Sequence, residues 1–179
     1  MKFMLILLAA LPTFISCHDT PSSSAPLTSM QADSTGSLTV SPAPSLHAIT
    51  LQQKGGLLVS KAFLTNRQGN LLHRGNMVKV GDTVVLTLAV QKGWVLKNGT
   101  ASPGASQTIV TDLNEPVLKS GDLFAQMKAV LAAKAAHLQL QAIVSKTRPD
   151  IPYYTVHFRI WDKNGEGEVK GQYRLNMAK

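Results

Sequence analysis

Apolar and polar residues alternate along several segments of the chain, which is the pattern of half-buried β-strands. Valine and leucine occupy every second position from Val84 to Val90, and apolar residues do the same from Tyr154 to Ile160. After a polar turn at 162–165, residues 168–177 return with the same period, so a C-terminal hairpin is predicted. Further strands are predicted over 57–65, 94–97, 107–113, 116–119 and 138–144.

One segment has the composition of a helix. Residues 122–136 are rich in alanine and other good helix formers, and Asp122 can cap the first turn. The larger apolar residues of this segment share one helical stripe, so a single amphipathic helix is predicted, packed on a sheet edge or on one end of a sandwich. The alternative is a helix that continues to about residue 144, which would remove one strand.

Short strands separated by glycine and asparagine turns, with one short helix, predict a mainly β fold. We expect an antiparallel immunoglobulin-like β-sandwich. The resemblance is to the architecture alone, because the cysteine and tryptophan pattern of antibody domains is missing. The chain has a single cysteine, Cys17.

The first residues form an apolar leader that ends at that cysteine. Lys2 supplies a positive start, and the apolar run that follows has the length of a secretory signal core. It is shorter than the roughly 20 residues that a bilayer-spanning helix needs. Ile15-Ser16-Cys17 resembles the cleavage box of bacterial lipoproteins, although Phe14 stands where that family usually has leucine. The resemblance implies that residues 1–16 are a signal peptide and that Cys17 is lipidated.

The lipoprotein resemblance also implies where the protein works. A multiply acylated cysteine anchors a protein stably to a membrane. The residue after the cysteine is His18, whereas an aspartate at this position retains some lipoproteins in the inner membrane. We therefore expect a cell-envelope protein, anchored more readily in the outer than in the inner membrane. The alternative is an ordinary signal cut near Ser16, which would leave a free thiol.

The segment that follows the cysteine has the composition of a spacer. Residues 17–46 are rich in serine, threonine, proline and alanine and contain no aromatic residue, so they are predicted to be a disordered tether. A short edge strand at 38–40 is the alternative. Residues 47–179 are then a single β-sandwich domain.

The chain is basic, with a formal net charge of +8. Its lysines and arginines are dispersed, which is typical of a soluble surface with weak attraction for anions. Envelope phosphates and cell-wall polymers are anions of this kind. Nucleic acid is not an expected partner, because the leader predicts export and no recognition module is present.

The sequence offers no catalytic motif. It contains no nucleophile elbow, P-loop or dinucleotide fingerprint, and no cofactor is predicted. The segment 162–168 alternates oxygen-bearing residues as half a calcium loop does, but Tyr173 stands at the closing position, so we interpret it as a hairpin turn built on Asn164-Gly165. His137 and His157 would approach each other only if their strands paired, and no metal site is predicted.

The candidate ligand contacts are Trp161, His157 and Arg159. They share the polar face of the strand 154–160 and its continuation, opposite Tyr154. The expected function is non-catalytic binding or scaffolding of an envelope protein or glycan. The alternatives are a carbohydrate-binding module, for which Trp94, Trp161, Tyr153 and Tyr154 would supply stacking rings, and a hydrolase. The hydrolase would use two carboxylates among Asp112, Glu115, Asp122, Asp150 and Asp162.

Overall fold

The computed structural model of the chain describes residues 48–73, 75–145 and 150–178. The predicted leader, the lipidation site at Cys17, the tether and the strand at 38–40 lie outside them. The described residues form eleven strands and one helix: β1 Thr50–Lys54, β2 Leu58–Asn66, β3 Met77–Val78, β4 Thr83–Lys92, β5 Thr100–Ala101, β6 Pro103–Thr111, β7 Pro116–Lys119, β8 Val130–Leu131, α1 Ala132–Ala135, β9 His137–Ile143, β10 Tyr153–Asp162 and β11 Glu168–Met177.

Two antiparallel sheets make up most of the fold. The first, which we call the long sheet, has the order β1-β11-β10-β6-β7, with the short strand β3 added in parallel to β11. The second, the short sheet, has the order β2-β4-β9. Strands β5 and β8 form a separate pair.

The hydrophobic core lies between the long and short sheets. Leu86 and Leu88 of β4 are fully buried, as are Val156 and Ile160 of β10, and all four belong to one apolar cluster. Each such side chain stabilises the fold by roughly 1.5–3 kcal/mol through removal of apolar surface from water. The antiparallel immunoglobulin-like β-sandwich with one short helix is thereby confirmed.

Most of the strand predictions are confirmed. The 154–177 hairpin pairs along its length, from Tyr153 with Asn176 to Trp161 with Glu168. The strands predicted over 57–65 and 84–90 pair with each other as β2 and β4, and the strand over 138–144 is β9. The hairpin of 107–113 with 116–119 is β6 with β7, although β6 begins earlier, at Pro103.

The helix predicted over 122–136 is wrong, and so is its extension to residue 144. Only Ala132–Ala135 is helical, and the first part of the segment is held in turns. The carboxylate of Asp122 accepts hydrogen bonds from the backbone N–H of Ala105 and of Phe124. These hydrogen bonds, together with the ion pair between Asp122 and Lys163, hold the first part of the segment in turns. Phe124 contacts the core, while Leu123 and Met127 stay exposed.

Two smaller predictions are also wrong. Residues 94–97 form no strand, because the backbone N–H of Val95 donates instead to the carboxylate of Asp162, at 2.6 Å. The hairpin turn does not depend on a positive φ at Asn164 or Gly165. It is a longer connection in which the same carboxylate accepts the N–H of Asn164, at 2.9 Å. The turn at Asn98-Gly99 does have a positive φ at both residues.

Candidate functional site

The side of the long sheet that faces away from the core, which we call the outer face, is polar. In β10, buried Val156, Phe158 and Ile160 alternate with the exposed or half-buried residues His157, Arg159 and Trp161. Alternation therefore places the three predicted contact residues on the outer face together. Their role as ligand contacts stays a prediction.

Cross-strand pairing extends this surface over neighbouring strands. Residues directly opposite each other in an antiparallel pair share a face, with Cβ atoms about 5 Å apart. Three rows therefore cross β1, β11, β10 and β6 in turn: Thr50, Gln172, His157, Thr108; Gln52, Lys170, Arg159, Ser106; and Lys54, Glu168, Trp161, Gly104.

A carboxylate organises the basic residues of this face. Glu168 is buried, and its oxygens contact Lys54 at 3.1 Å, Lys170 at 3.2 Å and the Nε of Arg159. Burial raises the pKa of Glu168, but hydrogen bonds from Arg159, Lys54 and Lys170 lower it more, so the pKa lies below its ordinary value of 4.5. Glu168 is therefore a fixed anion that holds three cations in place.

Trp161 supports Arg159 from a second direction. The Arg159 guanidinium lies over the indole, 4.7 Å from the ring centroid, which is a cation–π contact. The indole also lies close against Gly104 of β6, where a Cβ atom would come within 2.2 Å of the Trp161 Cε2 atom. Two groups of the chain itself already contact the ring, so a sugar that stacked on it would compete with Arg159.

A groove of about 680 Å³ crosses the outer face. Side chains of Gln52, Thr108 and Gln172 line it with amide and hydroxyl groups, while Arg159 and Lys170 supply positive charge. No aspartate or glutamate is among its described lining residues. The groove is thus a hydrogen-bonding surface with a positive centre.

The other predicted aromatic and histidine contacts are dispersed. Tyr154 is buried on the core side of β10, and Trp94 packs against the core cluster. Tyr153 lies under the guanidinium of Arg174, 3.9 Å from its ring centroid. The four aromatic residues therefore form no common platform. His137 lies on β9 in the short sheet, so it is not paired with the strand of His157.

Sequence reasoning missed Lys54, Glu168 and Lys170. The two residues of β11 alternate with its apolar positions, so the predicted hairpin contained the signal that places them beside β10. Lys54 carried no such signal, because β1 joins β11 across more than a hundred residues of chain. Pairing between strands so far apart in the sequence is decided by the fold as a whole.

Two carboxylates beside the hairpin turn, Asp162 and Asp122, are used structurally. Asp162 is buried and accepts the N–H groups of Val95 and Asn164. Asp122 forms an ion pair with Lys163, at 2.6 Å. Partial burial raises the pKa of Asp122, but hydrogen bonds from Lys163 and from two backbone N–H groups lower it further, to below its ordinary value.

Two searches of the described parts of the chain give negative results. No group of three or more histidine, cysteine, aspartate or glutamate residues among them is placed to hold a metal ion. Within the same residues, no helix has the length and apolar character needed to cross a bilayer.

Comparison with known proteins shows the fold alone. No protein-family model and no curated protein matches the chain. The chain is similar to the C-terminal domain of wzt, with a TM-score of 0.51 and 9% identity over 75% of this chain and 82% of that one. The PmoD soluble domain from Methylocystis sp. ATCC 49242 (Rockwell) aligns with a TM-score of 0.34 and 8% identity, over 71% of this chain and 91% of that one.

Proposed function

We propose that this protein is a lipid-anchored component of the bacterial cell envelope whose β-sandwich binds another envelope component without catalysis, through the outer face. The observation that carries the proposal is the ordered polar surface around Arg159, which is held by Glu168 and by Trp161. A side chain fixed before binding loses less conformational entropy when the ligand arrives.

Binding is favoured over hydrolysis by the structural use of two of the five candidate carboxylates, Asp122 and Asp162. The hydrolase alternative requires two carboxylates that converge on a substrate, one of them free to donate a proton. Asp122 and Asp162 accept backbone hydrogen bonds instead, and Asp122 also pairs with Lys163. These contacts stabilise the loops beside the hairpin, which supports a structural role for both residues.

The membrane anchor rests on the leader and on Cys17. In cells fed labelled palmitate, the full chain should incorporate the label and sediment with membranes, and Cys17→Ala should abolish both. The chain has no other cysteine, so this substitution removes every thiol. Labelling that persisted in the variant would place the modification elsewhere and contradict the proposed anchor.

The binding face is tested by site-specific photocrosslinking in intact cells. A photoreactive residue at Gln172, in the groove, should capture an envelope component that mass spectrometry then identifies. The matched control is Gln141, which is exposed on β9 of the short sheet. Equal capture from the two positions, or none from Gln172, would contradict binding through the outer face.

A carbohydrate-binding module is the second candidate. The amide and hydroxyl groups of Gln52, Thr108 and Gln172 favour it, because such side chains pair with sugar hydroxyls. Retention of the full chain on a glycan array, weakened by Gln172→Ala and unchanged by Gln141→Ala, would support this candidate. Retention that depended equally on both residues would contradict it.

A further inference from the structure

The groove carries an excess of positive charge. Arg159 and Lys170 line it, Lys54 lies in the adjoining row, and Arg174 extends the positive surface along β11. The one acidic partner in the three rows is Glu168, which already contacts three of these cations. The described surface thus keeps a net positive charge after its own ion pairs are counted.

Arg159 is the cation best placed to recognise an anion. Glu168 binds its Nε atom, so the outer edge of the guanidinium remains available for a second partner. The indole of Trp161 lies under the same group and limits its rotation. A planar guanidinium held in this way presents two N–H groups side by side, the geometry that a carboxylate or phosphate accepts in a bidentate manner.

The surroundings of Arg159 match a sugar chain better than a lipid surface. Besides Lys170, the side chains that line the groove near Arg159 include Gln52, Ser106 and Gln172, which are polar and uncharged. Membrane-binding surfaces usually add apolar residues that enter the acyl boundary. None of the residues that line the groove is among the large apolar residues that are exposed in the described part of the chain.

We infer that the groove binds an acidic glycan, with Arg159 and Lys170 on its carboxylate or phosphate groups and Gln52 and Gln172 on its hydroxyls. This inference rests on the proposed binding function and narrows it to one class of ligand. It also reassigns Trp161, from a ring on which sugars stack to the support that orients Arg159.

The test measures binding of the purified full chain, in detergent, to glycans of known charge. The acidic probes are polygalacturonate, which carries carboxylates, and phosphomannan, which carries phosphates. Neutral dextran is the uncharged control. At least one acidic probe should bind, dextran should bind at least tenfold more weakly, and the affinity should fall as salt is raised.

Two variants at Arg159 separate bidentate recognition from general attraction. Arg159→Gln should weaken binding about 10-fold to 100-fold, the usual effect of losing hydrogen bonds to a charged group. Arg159→Lys should also weaken it, because lysine keeps the charge but lacks the planar fork. Arg67→Gln is the matched control for charge, since Arg67 is exposed on the turn that follows β2.

Several outcomes would overturn the inference. Equal losses for Arg159→Gln and Arg67→Gln, or full binding by Arg159→Lys, would mean diffuse charge attraction. Binding to phosphatidylglycerol vesicles but to neither acidic glycan would assign the face to lipid. Specific crosslinking from Gln172 to a protein would keep the proposed function and reject the glycan. If the Arg159 variants fail to fold, Lys170→Gln, at an exposed position, replaces them in the comparison with Arg67→Gln.

Discussion

Removing the charge of Glu168 tests whether one buried carboxylate organises the outer face. In Glu168→Gln the side chain keeps its size and one acceptor oxygen, but Lys54, Arg159 and Lys170 lose their common anion. The cations are 67%, 49% and 55% exposed, so water screens each contact, and each pair contributes about 0.2–1 kcal/mol. The three together are expected to contribute about 1–3 kcal/mol to the free energy of unfolding.

The pH dependence of this loss has a definite direction. Because the pKa of Glu168 lies below its ordinary value of 4.5 in the folded protein, the ionised carboxylate stabilises the fold above that value. The contribution is lost as the pH falls through the lower pKa of the folded state. The difference in stability between the wild type and Glu168→Gln should therefore be constant above about pH 6 and shrink below pH 4.5.

The loss of stability and its dependence on pH are both measured by urea unfolding of the full chain between pH 3 and pH 8, with tryptophan fluorescence as the signal. Glu166→Gln is the control, because Glu166 is exposed on the neighbouring loop and its replacement should change stability by less than about 0.5 kcal/mol. The reasoning is refuted if Glu168→Gln unfolds like the wild type at pH 7. It is refuted as well if the difference is undiminished at pH 3, since the carboxyl of the unfolded chain is then protonated and the ionic contribution must already have decreased.

Three further predictions concern packing and are measured by urea unfolding at pH 7. Leu86→Ala should lower the free energy of unfolding by about 2–5 kcal/mol, because the side chain is fully buried. Leu131→Ala, at an exposed position, should lower it little, and similar losses for the two variants would contradict the described core. Gly104→Ala should lower the free energy of unfolding by about 1–3 kcal/mol, because the added methyl group displaces the indole of Trp161. Gly121→Ala, which has open space at its Cβ position, should be close to neutral, and a larger loss for Gly121→Ala than for Gly104→Ala would refute the contact between Gly104 and Trp161. Tyr173→Phe should be neutral or stabilising, because no hydrogen-bond partner for the buried hydroxyl lies among the described residues; a loss above about 1 kcal/mol would show that it has one.

The helix prediction shows where local propensity fails. Residues 122–136 have good helix formers and an apolar stripe, yet the chain forms turns there. Asp122 bonds the N–H of Ala105 and the ammonium of Lys163, which lie 17 and 41 positions away along the chain. Propensity is worth a few tenths of a kcal/mol per residue, so a few such tertiary contacts outweigh it.

Some residues of the candidate site could also be placed from the local sequence pattern, and others could not. His157, Arg159 and Trp161 could be placed on one face from the period of their own strand, and the hairpin adds Glu168 and Lys170 by local pairing. Lys54 and Gly104 reach the same surface through strands far away in the chain. Their contribution could not be predicted, because nothing in the local pattern states which strands become neighbours.

The sequence by itself determined the β character of this protein, the inner and outer sides of its main strands and the hairpin at its C-terminus. It did so because a period of two and a polar turn are local properties that the backbone must obey wherever the strand lies. The tertiary structure alone decided which strands lie side by side, and so which cations surround Glu168 and which glycine leaves room for Trp161. Those contacts depend on the closing of long loops and on the burial of one shared core, which are properties of the whole chain.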